Sequence, residues 1–191
     1  MRLFPLNTPN ILTVLRIFLV PVVVVALTEE IPHGDAIAAA VFMLAALTDG
    51  LDGYIARSTQ SVTNFGKVMD PLADKLLVVA SVLALVSLDR VAAWVAMVII
   101  ARELAVSALR MAAGQQGVVI PASRLGKFKT AVQLAAILAL IAAPNADAAW
   151  VRALLYSMVL ITLVSGADYF LNYRRRIDAI SREEAATEAV S

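Results

Sequence analysis

The sequence contains no cysteine and a single histidine, His33. Those absences exclude a disulfide framework and a thiolate metal site, so any metal must be held by oxygen ligands or by that one imidazole. Charge is scarce too: 16% of the 191 residues are charged, against 61% apolar. Soluble domains carry about 25% charged and roughly 45–50% apolar residues. A chain of this length with a mean hydropathy of +0.82 cannot hide so much apolar surface from water, and lipid is its expected solvent. The formal net charge of +1 says nothing about partners. The placement of the charges says more.

A bilayer core asks for about 20 mainly apolar residues per helix. Six stretches qualify: 9–27, 34–57, 68–88, 91–113, 124–143 and 148–173. Polar or turn-forming segments separate them, "TEEIPHGD", "RSTQSVTNFGK", "SLDR", "GQQGVVIPASR" and "APNAD". The first stretch follows Met1 and Arg2 in the manner of a secretory signal. However, Pro9, Asn10 and Arg16 interrupt it, and "VVVVALTEE" offers no small-x-small cleavage site, so it reads as a retained span. The expected fold is all-α, an integral membrane bundle of six transmembrane helices forming one domain over residues 1–176. Residues 1–8 would lie at the interface, and the polar tail 177–191 would be a frayed helix or disordered.

Six spans place both termini on one side, and that side receives every Lys and Arg except Arg90 and Arg152. The bias makes it the cytoplasmic side. Trp94 and Trp150 then fall near the outer ends of spans, as interfacial anchors, and His33 in a solvated outer loop. The run "YRRR" at 173–176 reads as a stop signal meeting anionic headgroups.

Against this background the segment "TDGLDGYIARSTQSVTNFGKVMDPLADK", Thr48 to Lys75, is anomalous. It sets Asp49, Asp52, Asp70 and Asp74 beside the most apolar stretches, where each charge costs roughly 2.5–3.5 kcal/mol at mid-membrane and less at the interface. At helical spacing Asp49, Asp52, Gly53, Ala56 and Arg57 share one face, and so do Gly66, Asp70 and Asp74. Two stripes that alternate acids with very small residues would face each other across a short polar turn. Facing carboxylates repel, and divalent cations with oxygen ligands, Mg²⁺ or Mn²⁺, would compensate them. Two such ions bridge a pyrophosphate well, and the small residues leave room against the backbone. Taken singly, the same residues have plainer readings. Asp70 before Pro71 could be a helix N-cap, Asp49 and Asp52 a solvated helix end, and Arg57 a marker of the membrane edge.

The pattern Asp49-x2-Asp52-Gly53-x2-Ala56-Arg57-x8-Gly66-x3-Asp70-x3-Asp74 resembles the signature of the CDP-alcohol phosphatidyltransferase family, with every fixed position filled. The resemblance implies a six-helix membrane enzyme, usually homodimeric, in which an alcohol hydroxyl attacks the lipid-bearing phosphorus of a CDP-lipid and CMP leaves. It implies that Asp49, Asp52 and Asp70 ligate a pair of divalent ions with Asp74 beside them, and that Asp74 is the general base. It further implies CDP-lipid contacts at Gly53, Ala56, Arg57, Thr63 and Gly66, and at the "TPNI" segment Thr8, Pro9, Asn10 and Ile11.

The acceptor is read from basic residues further on. Arg102 and Arg110 lie in "ARELAVSALR", and Lys127 and Lys129 in "SRLGKFKT". Positive-inside flanking would explain any one of them, except that Arg102 sits about two turns inside the fourth span beside Glu103. A guanidinium at that depth calls for a phosphate or carboxylate partner. A basic pocket implies an anionic acceptor, glycerol 3-phosphate or inositol phosphate rather than choline, ethanolamine or serine. The strings "NTPNILTVLRI", "ARELAVSALR" and "GKFKT" are similar to bacterial family members that use glycerol 3-phosphate, which implies phosphate contacts at Arg110 and Lys127, then at Arg102 and Lys129. The expected partners are CDP-diacylglycerol, glycerol 3-phosphate, membrane lipids and a second copy of the chain, with no nucleic acid. The expected location is the bacterial inner membrane, with the active site at the cytoplasmic face. The same chemistry with inositol phosphate or phosphatidylglycerol as acceptor is the alternative. A metal carrier or scaffold would place its acids nearer the midplane, often in pseudo-symmetric halves, and fits less well.

Overall fold

The structure, a computed structural model, describes residues 8–59, 64–115 and 124–188, and at 8–10, 49–59, 64–71, 74, 124 and 178–188 the backbone alone. The described residues form six helices and no strand: α1 (Thr8–Thr28), α2 (Gly34–Thr59), α3 (Asn64–Ser87), α4 (Ala93–Gln115), α5 (Arg124–Ala142) and α6 (Ala149–Glu188). By length and composition α1, α5 and α6 each suffice to cross a bilayer, while α2 and α3 contribute shorter apolar segments, Gly34–Thr48 and Lys75–Ser87. Large apolar side chains cover the outside, among them Phe18, Met97, Leu104 and Leu160, each more than 60% exposed. Such a surface would drive aggregation in water and is at home in acyl chains. The chain is an all-α membrane protein.

Short connections fold successive helices back on one another. Helix α1 packs on α2 and α3, α6 packs on α4 and α5, and α5 joins the two groups through α2 and α3. At one end of the bundle the turns are tight. His33 and Asp89 take left-handed backbone conformations there, with φ of 59° and 57°. A Cβ on Gly34 would run into the carbonyl oxygen of Ala26, so the α1–α2 corner needs glycine. Arg90, between α3 and α4, gathers this end. It donates to the carbonyls of Ile141 at 3.1 Å and Leu140 at 3.4 Å, capping α5, and pairs with Asp35 at 2.8 Å. Arg152 pairs with Asp147, also at 2.8 Å. The two cations set apart by the charge distribution are thus both engaged locally.

The inward faces change character along the bundle. Toward the Arg90 end they are apolar: Val23 and Leu27 of α1, Phe42 of α2, Leu85 of α3, Ile99 of α4, Leu140 of α5, Val151 and Leu155 of α6. Toward the other end the same faces turn polar, with Thr13 and Arg16, Thr48, Glu103, Lys129 and Gln133, then Thr162, Ser165 and Tyr169. Each set recurs at three- or four-residue spacing, so one helical stripe carries both halves. An apolar plug of close-packed side chains holds the bundle, and the polar half is where chemistry can be housed.

Two boundaries differ from the sequence reading. Helix α3 starts at Asn64 rather than near 68, so Asp70 lies within the helix and is not its N-cap, and Pro71 is a mid-helix residue. Helix α6 continues past the apolar stretch to Glu188. Its tail is rich in Ala, Glu and Arg and contains no Gly or Pro, so nothing stops the helix where hydropathy falls. Thr63 and residues 1–7 lie outside the described residues.

Candidate active site

The backbone places the four aspartates in matching register. Asp52 stands about two turns before the end of α2, and Asp70 about two turns after the start of α3. Asp49 and Asp74 follow about one turn deeper in their helices. With α2 and α3 packed as neighbours and only residues 60–63 between them, these positions lie at similar depth on the polar end of the bundle. The side chains of the four aspartates, and those of Thr8, Pro9, Asn10, Gly53, Ala56, Arg57 and Gly66, lie outside the described set. Ile11 is half-exposed on α1. The donor set suits a hard divalent cation, since these positions supply carboxylate oxygens and neither thiolate nor imidazole. Among the described side chains no group of three His, Asp or Glu residues gathers to offer another site.

The wall beside Asp49 is built from α1. Arg16, fully buried in the apolar run "VLRIFLV", donates from Nε to the carbonyl of Ala45 at 3.2 Å, and Thr48 Oγ1 donates to the same oxygen at 2.8 Å. Ala45 precedes Asp49 by one turn, so the guanidinium fixes α1 against α2 just before the acidic stripe begins. Thr13, also fully buried, lies one turn earlier on the same face of α1. From sequence Arg16 stood only as an interruption of the first apolar run and one of the cytoplasmic-side cations. An arginine inside an apolar span is itself a functional signal, and that signal was there to use.

The basic residues of α4 and α5 separate into two pairs. Arg110 and Lys127 are exposed, with the Arg110 guanidinium 5.8 Å from the centre of the Tyr169 ring. Lys129 is buried and hydrogen-bonds Glu103. Arg102 lies 3.6 Å from the same carboxylate and donates to Ser165 Oγ at 3.1 Å. Its partner at that depth is thus the neighbouring carboxylate. Helix α6 makes room for it, since a Cβ on Gly166 would stand 3.2 Å from Arg102 Cγ. Arg110 lies two turns along α4 from Arg102. Tyr169, Ser165, Thr162 and Gln133 were not singled out from sequence. Their signal was polar residues at three- and four-residue spacing within apolar spans.

This architecture, with its acid-bearing helix pair, matches a known class of membrane enzyme. The chain matches the CDP-alcohol phosphatidyltransferase family over residues 6–165 and belongs to that family. It is 40% identical over 185 residues to the CDP-diacylglycerol–glycerol-3-phosphate 3-phosphatidyltransferase of Bacillus subtilis (strain 168), covering 86% of this chain and 93% of the relative. It is 40% identical over 179 residues to the probable phosphatidylglycerophosphate synthase of Mycobacterium tuberculosis (strain H37Rv), covering 91% and 85%. A Rickettsia felis protein with the same printed name as the B. subtilis enzyme is 37% identical over 169 residues, covering 86% and 93%. The chain is a membrane-bound transferase of phospholipid biosynthesis.

Proposed function

We propose that the chain transfers the phosphatidyl group of CDP-diacylglycerol to glycerol 3-phosphate, giving phosphatidylglycerophosphate and CMP. The bond formed joins the acceptor hydroxyl oxygen to the lipid-bearing phosphorus, the bond broken joins that phosphorus to CMP, and the hydroxyl proton is taken up by the enzyme. The observation that supports this reading most is the register of Asp49 and Asp52 on α2 with Asp70 and Asp74 on α3, at the polar end of the core. Relatives that bear the substrate's name over most of both chains support the choice of acceptor.

Asp49, Asp52 and Asp70 would hold two divalent ions, Mg²⁺ or Mn²⁺, with Asp74 beside them. When bound, such ions neutralise the diphosphate and ease departure of CMP. Asp74 accepts the acceptor's proton as its oxygen bonds to phosphorus. A carboxylate is a weak base toward an alcohol, but it need act only as the new bond forms. Gly53, Ala56 and Gly66 leave space against the backbone for the nucleotide. Arg57, Thr63 and the segment Thr8 to Ile11 orient it. Arg110 and Lys127, with exposed charges at the polar end, receive the acceptor's phosphate, and Arg102 and Lys129 stand behind them. All six helices would cross the bacterial inner membrane with the acidic end at the cytoplasmic face, where both substrates are available, and the chain would work as a homodimer.

The test is CMP release by purified protein supplied with CDP-diacylglycerol, Mg²⁺ or Mn²⁺ and one alcohol at a time. Glycerol 3-phosphate is expected to support turnover at least about tenfold faster than inositol phosphate or phosphatidylglycerol, a discrimination of about 1.4 kcal/mol in the barrier. Equal rates would remove the acceptor assignment. In the same assay Arg110→Ala or Lys127→Ala should raise KM for glycerol 3-phosphate and leave KM for CDP-diacylglycerol within twofold. Equal effects on both would make these residues general anchors.

A further inference from the structure

In the polar seam between α4, α5 and α6 the buried acid Glu103 meets two cations. Glu103 takes the buried Lys129 ammonium as a hydrogen-bond donor and stands 3.6 Å from the Arg102 guanidinium. Two cations therefore approach one carboxylate. Arg102 Nε is buried without a hydrogen-bond partner, and so are Gln133 Nε2, Thr162 Oγ1 and the Tyr169 hydroxyl. Each of these atoms can donate, and a buried donor left unmatched costs roughly 1–3 kcal/mol. A structural ion pair alone would not need them. One carboxylate opposite one cation, surrounded by apolar side chains, would be simpler and often no less stable.

We infer that Glu103 is a positioning residue. It fixes Lys129 and Arg102 along this seam, so that the basic end of the bundle presents an ordered donor surface to the phosphate of the acceptor. This rests on the acceptor reading above and adds to it the acid that organises the basic residues. Three links carry it. Glu103 bridges α4 to α5 through Lys129. Arg102, beside Glu103 on the chain, ties α4 to α6 through Ser165 Oγ, and its stem lies against Gly166. Arg110, two turns beyond Arg102 on α4, rests on the ring of Tyr169, one turn beyond Ser165. The cation nearest the surface and the buried pair are thus set by the same three helices. Glu103 itself touches no substrate in this account. Its effect is transmitted through cationic side chains whose N–H groups match the oxygens of a phosphate.

The experiment compares wild type, Glu103→Gln, Glu103→Asp, Lys129→Gln and the double variant Glu103→Gln/Lys129→Gln in detergent or nanodiscs. KM is measured for each substrate separately, together with competition by inorganic phosphate against glycerol 3-phosphate. Glu103→Gln is expected to raise KM for glycerol 3-phosphate about tenfold, which is about 1.4 kcal/mol of binding, and to weaken phosphate competition in parallel. KM for CDP-diacylglycerol should stay within twofold and kcat within about threefold. Glu103→Asp should recover most of the loss. The double variant should be no worse than the worse single one, because both changes remove the same contact. If Glu103→Gln does not accumulate in membranes, the double variant and Glu103→Asp decide. An acceptor KM unchanged in both, or rising equally for the two substrates, overturns the inference. Arg110→Ala and Lys127→Ala separate the two levels. Failure of those variants to affect the acceptor removes the acceptor site itself, whereas an effect there without one at Glu103 removes only the positioning role.

Discussion

Asp74→Asn is expected to lower CMP release by about 10²–10⁴-fold, the usual contribution of a positioned general base, while CDP-diacylglycerol still binds within a few-fold of wild type. The amide has nearly the shape of the carboxylate but cannot take the acceptor's proton. Asp74 lies about one turn deeper in α3 than Asp70, so under the proposed function one helix would supply both an ion ligand and a base. Asp70→Asn should behave differently, shifting the metal concentration needed for half-maximal rate and weakening CDP-lipid binding. The pair of titrations, metal and lipid, on the two variants is the check. Near-normal turnover by Asp74→Asn would remove it as base. Identical metal titrations in both would dissolve the division of labour.

Arg16→Leu is expected to abolish more than about 99% of turnover while the protein remains in the membrane. A fully buried guanidinium bonded to the Ala45 carbonyl fixes α1 against α2 one turn before Asp49. A charged hydrogen bond of this kind is worth about 1.5–3 kcal/mol. The larger effect should be geometric, because a displacement of about 1 Å at a reacting centre can cost roughly 100-fold. Leucine fills the volume and suits lipid, so the helix should still insert. Arg16→Lys keeps the charge but not the planar fork and should recover only part of the activity. Turnover per folded molecule, with thermal midpoints measured alongside, distinguishes this role from simple stability. If Arg16→Leu loses stability but keeps its rate, the residue is an anchor and nothing more.

Much of this was legible in the sequence because lipid imposes simple rules. Six apolar stretches with polar breaks became six helices, every end but the last of α6 falling within a few residues of expectation, and the turn residues marked the corners at Gly34 and Asp89. The start of α3 was misplaced because hydropathy registers lipid and not hydrogen bonding. "NFGK" is polar yet helical, so the helix begins before the apolar run. The same cause hid the extension of α6 to Glu188. The acidic motif could be read because eight residues at fixed spacing leave little room for chance. The seam of Gln133, Thr162, Ser165 and Tyr169 could not, since its members lie on separate helices and become a site only once α4, α5 and α6 pack together. Lys127 and Lys129 show the limit most plainly. Both were read as phosphate contacts, Lys127 ahead of Lys129, yet one is exposed and the other is buried against Glu103.

Under the proposed function, the acids of α2 and α3 act as a single cation site that grips the diphosphate of the lipid donor. Mn²⁺ binding to the purified protein in nanodiscs, counted by electron paramagnetic resonance with CDP-diacylglycerol present, tests it most directly. About two ions per chain are predicted, with loss of both when Asp49 and Asp70 are replaced together by Asn. Manganese bound in equal amount by that double variant, or none bound by the wild-type protein with its lipid substrate present, would contradict it.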